Sequence, residues 1–133
     1  AASDVYKRQA LKGHLLNDTV KESLYDEVKN FFNLSNEIKS KYIISGLASQ
    51  RGFTPFGKEH AKGRNVGDLK EFWHFGQYVK NEPELENKYP KNVMVDELEE
   101  FNSVGQKTYE LLEETGRHVL GAIACYLDTL IIN

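Results

Sequence analysis

Hydrophobic residues recur at spacings of three and four near the start of the chain, and charged residues fill the positions between them. One stripe consists of Val20, Leu24, Val28, Phe31 and Phe32. This spacing predicts an amphipathic helix of roughly three to four turns with one buried face. Residues 17–19 offer N-cap side chains before it. A second, shorter helix is predicted over residues 36–42 with Ser35 as its cap, so the pattern indicates a helix pair joined by a tight turn.

The same spacing returns over residues 94–128 and predicts a long helix. At 1.5 Å per residue, a single helix over this range would be about 50 Å long. We expect a bend in it, because the range contains Gly105, Gly116 and Gly121. Residues 119–127 are apolar on nearly every helical face, which predicts burial against structure that this chain does not contain. Cys125 lies in this run and is expected to be a buried, unreactive thiol.

The part between the helical regions has a different pattern. Residues 45–67 hold five glycines and Pro55, which argues against a long helix there. A short extended piece is predicted around Phe53 and Phe56. Residues 71–79 carry four aromatic side chains and predict a strand, and residues 81–92 are interpreted as a polar connection.

Composition limits the function further. The 133 residues are 40% hydrophobic and 28% charged with a net charge of −3, which is typical of one globular domain and makes nucleic acid a poor partner. The single cysteine excludes an internal disulfide and a cysteine-rich zinc site. There is no run of about 18 apolar residues and no signal-peptide layout. We therefore expect a cytoplasmic protein without a membrane partner.

Residues 51–80 contain six lysines or arginines against three acidic residues, with His60 and His74 in addition. This excess indicates either a solvated basic loop or a positive pocket wall that attracts a carboxylate-bearing small molecule. The four histidines lie in separate segments, and the sequence has no His-x-Asp, His-Glu-x-x-His or Cys-x-x-Cys motif. No Gly-x-Ser-x-Gly elbow or phosphate-binding loop occurs either. The sequence therefore predicts no catalytic residue and no metal ligand, and His74 is expected to make a structural hydrogen bond within its strand.

Two motifs carry a resemblance to a known family. Arg51-Gly-Phe-Thr-Pro-Phe-Gly57 and Asp68-Leu-Lys-Glu-Phe-Trp-His-Phe-Gly76 follow the helix pair and precede the long helix. This order resembles the N-terminal region of the isopenicillin N synthase-like non-haem Fe(II)- and 2-oxoglutarate-dependent dioxygenases. The resemblance covers about residues 10–128.

The resemblance implies an α+β fold, namely a mainly helical N-terminal region that packs on a double-stranded β-helix (jelly roll) core absent from this chain. It also implies Fe(II) and 2-oxoglutarate as cofactors of the full-length protein. The family holds iron with a His-x-Asp pair and a distal histidine, and 2-oxoglutarate with Arg-x-Ser, downstream of the long helix. Neither pair occurs here, so the chain is expected to be an inactive fragment that binds no cofactor. Residues 1–9 are expected to be foreign or disordered, and 129–133 a truncated end.

By the same resemblance, Arg51, Phe53 and Thr54 are candidates for the wall of the substrate pocket, and Lys58 is a further candidate. The alternative is that this segment only braces the barrel. Phe72, Trp73 and Phe75 are expected to be structural. A different hypothesis for the whole chain is a non-catalytic helical module that binds a partner protein through residues 119–127. The substrate and the oligomeric state remain open.

Overall fold

The computed structural model describes residues 10–60, 63, 66–79, 82–86 and 88–127. Along these the elements are α1 (Asp18–Phe32), α2 (Asn36–Ser40), β1 (Gly52–Thr54), β2 (Phe72–His74), α3 (Pro83–Glu86) and α4 (Glu99–Tyr126). The mixture of helices with one small sheet agrees with the α+β expectation. The expectations for residues 1–9 and 129–133 lie outside the described residues.

The helix pair confirms the sequence prediction closely. Asn17 caps α1, because its side-chain oxygen accepts a hydrogen bond from the Val20 N–H at 2.9 Å. Ser35 caps α2 in the same way, through the N–H of Ile38 at 3.3 Å. The second helix ends at Ser40, two residues before the predicted end. After α2 the chain makes a turn, and Ile43 forms an isolated bridge with Gly52 at the start of β1.

The sheet has two antiparallel strands, in which Phe53 pairs with Trp73. β2 covers only residues 72–74 of the predicted strand over 71–79, because its partner β1 is itself three residues long. Pro55, which follows β1 and lacks an N–H group, falls opposite Glu71 and limits the pairing at that end. Beyond β2, the side chain of Asn92 takes the place of a partner strand. Its amide accepts from the Gly76 N–H at 2.7 Å and donates to the Gly76 carbonyl at 2.9 Å.

The core is aromatic, and Phe31 lies at its centre. Its ring stacks on Phe101 of α4 at 5.1 Å and meets Trp73 edge-on at 4.8 Å. Phe53 contacts it from β1, and Tyr42 contacts it from the turn after α2. Each such pair adds about 0.5–1.5 kcal/mol beyond the area it buries. This cluster fixes the sheet against the helices, and it gives Trp73 the structural role that the sequence predicted.

The long helix begins at Glu99, five residues later than predicted. The cause is Asn102, whose buried amide accepts from the Val95 N–H at 2.8 Å and donates to the Val95 carbonyl at 2.9 Å. These bonds hold residues 94–98 outside the helix. In addition, the predicted polar connection contains the short helix α3, which the sequence analysis missed.

The expectation that Cys125 is buried was wrong: the thiol is exposed. The first half of α4 packs against α1, but its last turns have no neighbour among the described residues that covers them. Exposed apolar side chains there are Leu120, Ile123, Tyr126 and Leu127. The position of a residue in an apolar run therefore did not determine its burial.

Candidate functional site

All four residues predicted to line a pocket border one hollow of about 330 Å³. We call it the first hollow; its other walls are Pro55 and the turn after α2, residues 43–46 and 48–49. Arg51, Phe53 and Thr54 are buried, and Lys58 is exposed at the edge. The structure thus brings the predicted residues together. Their role as a substrate-pocket wall remains a prediction.

Gly52 sets the position of β1 beside this hollow. Its φ is +74°, and a Cβ atom there would lie 2.4 Å from the Tyr42 carbonyl oxygen. The Phe53 N–H donates to the same oxygen at 3.0 Å. Only glycine allows this approach, so the strand lies directly against the end of α2. The local structure therefore explains why glycine stands at position 52, the first glycine of the motif.

Thr54 places a polar atom where it has no partner. The residue is 1% exposed, and its Oγ1 makes no hydrogen bond to the described residues. An unpartnered buried hydroxyl costs roughly 1–3 kcal/mol. Thr54 thus places an enclosed hydroxyl with unused hydrogen-bonding capacity in the wall of the first hollow.

The turn that faces β1 is held in an unusual conformation. Ala48 and Ser49 have φ values of 45° and 61°, in the left-handed region that non-glycine residues seldom adopt. The Ser49 carbonyl oxygen lies 2.5 Å from Nδ1 of His74, so Nδ1 carries the proton that it donates. His74 therefore makes the expected structural hydrogen bond, but to this turn rather than within its strand.

The charged end of Arg51 points away from the first hollow. Its Nη1 donates to the Gln50 carbonyl at 2.7 Å and its Nε to the Pro90 carbonyl at 3.1 Å. The guanidinium also lies on Gly76, where a Cβ atom would be 1.8 Å from Cζ. Gln50, Gly76 and Pro90 line a neighbouring hollow of about 560 Å³, which we call the second hollow. These contacts support a bracing role for Arg51.

Two acid–base pairs stabilise the surroundings of the first hollow. Lys39 is buried beneath Phe53 and contacts both carboxylate oxygens of Glu71, at 2.9 and 3.1 Å. The Tyr42 hydroxyl donates to Glu97 and accepts from the Asp96 N–H at 3.0 Å. Burial, and then the bond to Glu97, raise the pKa of the Tyr42 phenol. The hydrogen bond from Tyr42 holds the pKa of the Glu97 carboxyl below its usual value.

The described part of the chain contains no group of three His, Cys, Asp or Glu side chains that could hold a metal ion. His118 pairs with Glu114 on the exposed face of α4, at 3.2 Å. Among the helices of the described residues, none is long and apolar enough to cross a membrane. The two hollows that Arg51 borders are candidates for binding a small molecule, and a further hollow of about 440 Å³ is lined by residues that include 77–79 and 89–92.

Known proteins that match this chain identify its family. The family described as non-haem dioxygenase in morphine synthesis N-terminal matches residues 9–97, more than half of the chain. The chain belongs to this dioxygenase N-terminal family. The matched range of the dioxygenase N-terminal region includes both motifs and every residue that lines the first hollow.

A solved structure supports the same assignment. A 2OG-Fe(II) oxygenase family protein from Caulobacter crescentus superposes with a TM-score of 0.73 and is 35% identical over 86% of this chain. The match covers 37% of that protein, so the chain spans less than two thirds of its relative's length. None of the curated proteins matches the chain. The family resemblance seen in the sequence is therefore confirmed.

Several residues that shape the site were not predicted from the sequence. Asn92 and Gly76 form the support on which Arg51 lies, and the turn at residues 48–49 closes the first hollow. Gly76, the last residue of the second motif, was the sequence signal that could have predicted the support beneath Arg51. A left-handed alanine–serine pair has no such signal, because neither residue favours that conformation.

Proposed function

We propose that this chain is the N-terminal part of an oxygenase that uses Fe(II), O₂ and 2-oxoglutarate to oxidise a small molecule. The observation that carries the proposal is the meeting of Arg51, Phe53, Thr54 and Lys58 at one hollow within the matched family region. In the proposed function this hollow forms one side of the substrate pocket. The family match and the oxygenase relative support the reaction class.

The chain's own residues do not fit the iron. Its sequence has no His-x-Asp pair, and its described residues have no three-ligand group, so the iron would have to be held by residues outside this chain. The chain contributes shape and polarity instead. Phe53 and Pro55 offer an apolar surface and the Lys58 ammonium offers a positive charge at the edge. The Thr54 hydroxyl in the same wall is enclosed and has no hydrogen-bond partner among the described residues.

The experiment compares the complete gene product with the 133-residue chain. With Fe(II) and 1-¹⁴C-labelled 2-oxoglutarate, we expect the complete gene product to release labelled CO₂ and the chain alone to release none. Activity of the chain alone would contradict its proposed inactivity. A complete gene product that releases no CO₂ under any substrate in a panel of small carboxylates and amines would overturn the reaction class.

The substrate role of the first hollow needs its own variants. In the complete gene product, Thr54→Val keeps the side-chain shape and Lys58→Gln removes the edge charge. We expect both to raise the KM of the stimulating substrate several-fold and to leave the substrate-free turnover of 2-oxoglutarate unchanged. Lys107→Gln, an exposed lysine on α4, is the matched control. Parent-like KM values for both variants would favour the bracing alternative.

A further inference from the structure

The second hollow lies on the far side of Arg51 from Thr54 and shares no wall with the first hollow other than Arg51. It is lined by Phe75 and Gly76 after β2 and by Lys88, Tyr89 and Pro90 from the segment before α4. With a volume of about 560 Å³ it falls within the range of pockets that hold small ligands. Nothing in the proposed oxygenase reaction requires this space.

Arg51 presents a fixed positive charge to this space. The residue is 8% exposed, and its guanidinium is held by the carbonyls of Gln50 and Pro90 and lies on Gly76. Those bonds use Nε and one N–H of Nη1, which leaves the Nη2 edge without a hydrogen bond to the described residues. A guanidinium fixed in this way is preorganised for a carboxylate, which it can meet with two parallel bonds.

No described carboxylate neutralises this charge. Among the described residues none lies within ion-pair distance of Arg51, and no acidic side chain lines the second hollow. Lys88 also lines it and makes it more attractive to an anion. Buried charges in proteins are normally paired, because leaving one unpaired is costly. A small anion that enters the second hollow would supply the partner that Arg51 lacks among the described residues.

The other residues that line the second hollow indicate what kind of anion would fit there. Three aromatic residues, Phe75, Tyr89 and Tyr109, line the second hollow, and the Tyr109 ring contacts Tyr78 edge-on at 5.9 Å. Aromatic walls favour a flat apolar group over a fully hydrated one. We infer that the second hollow binds a small organic carboxylate with a planar apolar body, the carboxylate meeting Arg51 and the body lying among the aromatic rings. This binding is independent of the proposed oxygenase reaction.

The test uses isothermal titration calorimetry on the complete gene product with benzoate as the probe. Benzamide has the same ring without the charge, and acetate has the charge without the ring. We expect benzoate to bind at least about tenfold more tightly than either, because one strong charge-assisted interaction and the burial of one ring each contribute about that factor. If benzoate and benzamide bind equally well, Arg51 does not recognise a carboxylate. If benzoate and acetate bind equally well, the aromatic rings do not contribute to binding.

Two lysine variants locate the probe. Lys88→Gln removes a charge at the second hollow, and Lys58→Gln removes one at the first. We expect Lys88→Gln to weaken benzoate about two- to fivefold, as for an exposed charge pair, and Lys58→Gln to leave the benzoate affinity unchanged, like the control Lys107→Gln. Arg51→Lys should weaken it at least about tenfold. Loss of affinity in Lys58→Gln but not in Lys88→Gln, or no benzoate binding at all, would refute the inference.

Discussion

Replacing Glu71 with glutamine should destabilise the folded chain far more than the loss of a surface charge. Lys39 is 4% exposed, and the side chain of Glu71 is 16% exposed. Without the carboxylate, the Lys39 ammonium keeps only the Phe32 carbonyl at 3.3 Å, the glutamine oxygen and two aromatic rings. Breaking a buried ion pair on one side costs about 3–5 kcal/mol. We expect the lower end, about 3 kcal/mol, because glutamine keeps one acceptor and water reaches part of the site.

The cost should come from the unpaired Lys39 ammonium and not from lost packing. The double variant Lys39→Met/Glu71→Leu removes both charges and keeps similar volumes, so it should lie within about 1 kcal/mol of the parent. The matched control is Asp26→Asn, which breaks the exposed pair with Lys29. The side chains of that pair are 71% and 70% exposed with a separation of 3.0 Å. We expect that control to cost less than about 0.5 kcal/mol.

The measurement is the free energy of unfolding from urea titration, followed by circular dichroism and by the fluorescence of Trp73, the chain's only tryptophan. If Glu71→Gln costs no more than Asp26→Asn, the buried pair does not stabilise the fold as argued. If the double variant is as unstable as the single variant, the loss comes from packing and not from the unpaired ammonium.

Two further changes test the support of the site. Gly76→Ala places a methyl group where Arg51 lies and should lower the free energy of unfolding, measured by urea titration, by about 1–3 kcal/mol. The control Gly116→Ala, in open space within α4, should raise it by about 0.5–1 kcal/mol. Equal effects of the two variants would disprove the close approach of Arg51 to Gly76. The pKa of Glu97 is lowered in the folded chain, so its stabilisation is present above the ordinary value of 4.5 and is lost as the pH falls through the folded pKa. The pKa of Tyr42 is raised, so its stabilisation is present below the ordinary value of 10.0 and is lost as the pH rises through the folded pKa. Tyr42→Phe should therefore reduce the dependence of the melting temperature on pH at both the acidic and the alkaline end. An unchanged pH profile would contradict this.

Local patterns in the sequence predicted the helix pair well, because capping and amphipathic spacing act within a few residues. Asn17 and Ser35 cap the helices where the sequence placed them. The start of the long helix could not be predicted from spacing, since the stripe continues upstream of Glu99. The helix begins only at Glu99 because the Asn102 side chain binds the main chain of Val95. A hydrogen bond of this kind leaves no periodic pattern in the sequence.

The candidate site was predictable in its members but not in its geometry. The motif around Phe53 and Thr54 identified the residues that meet at the first hollow. The sequence did not show that the Arg51 side chain leaves this hollow for the next one. That direction depends on Pro90 and Gly76, which come from two other segments of the chain. Contacts between distant segments require the fold itself.

The uneven support of α4 also has a consequence for its backbone amides. The first half of the helix holds buried residues such as Phe101 and Thr108, whereas Leu120 and Tyr126 near its end are exposed. Opening of the last turns removes few buried contacts, and opening of the first turns disrupts the aromatic core. Hydrogen exchange with deuterium should therefore proceed as a gradient along this one helix, from slow at the Phe101 end to fast at the Tyr126 end.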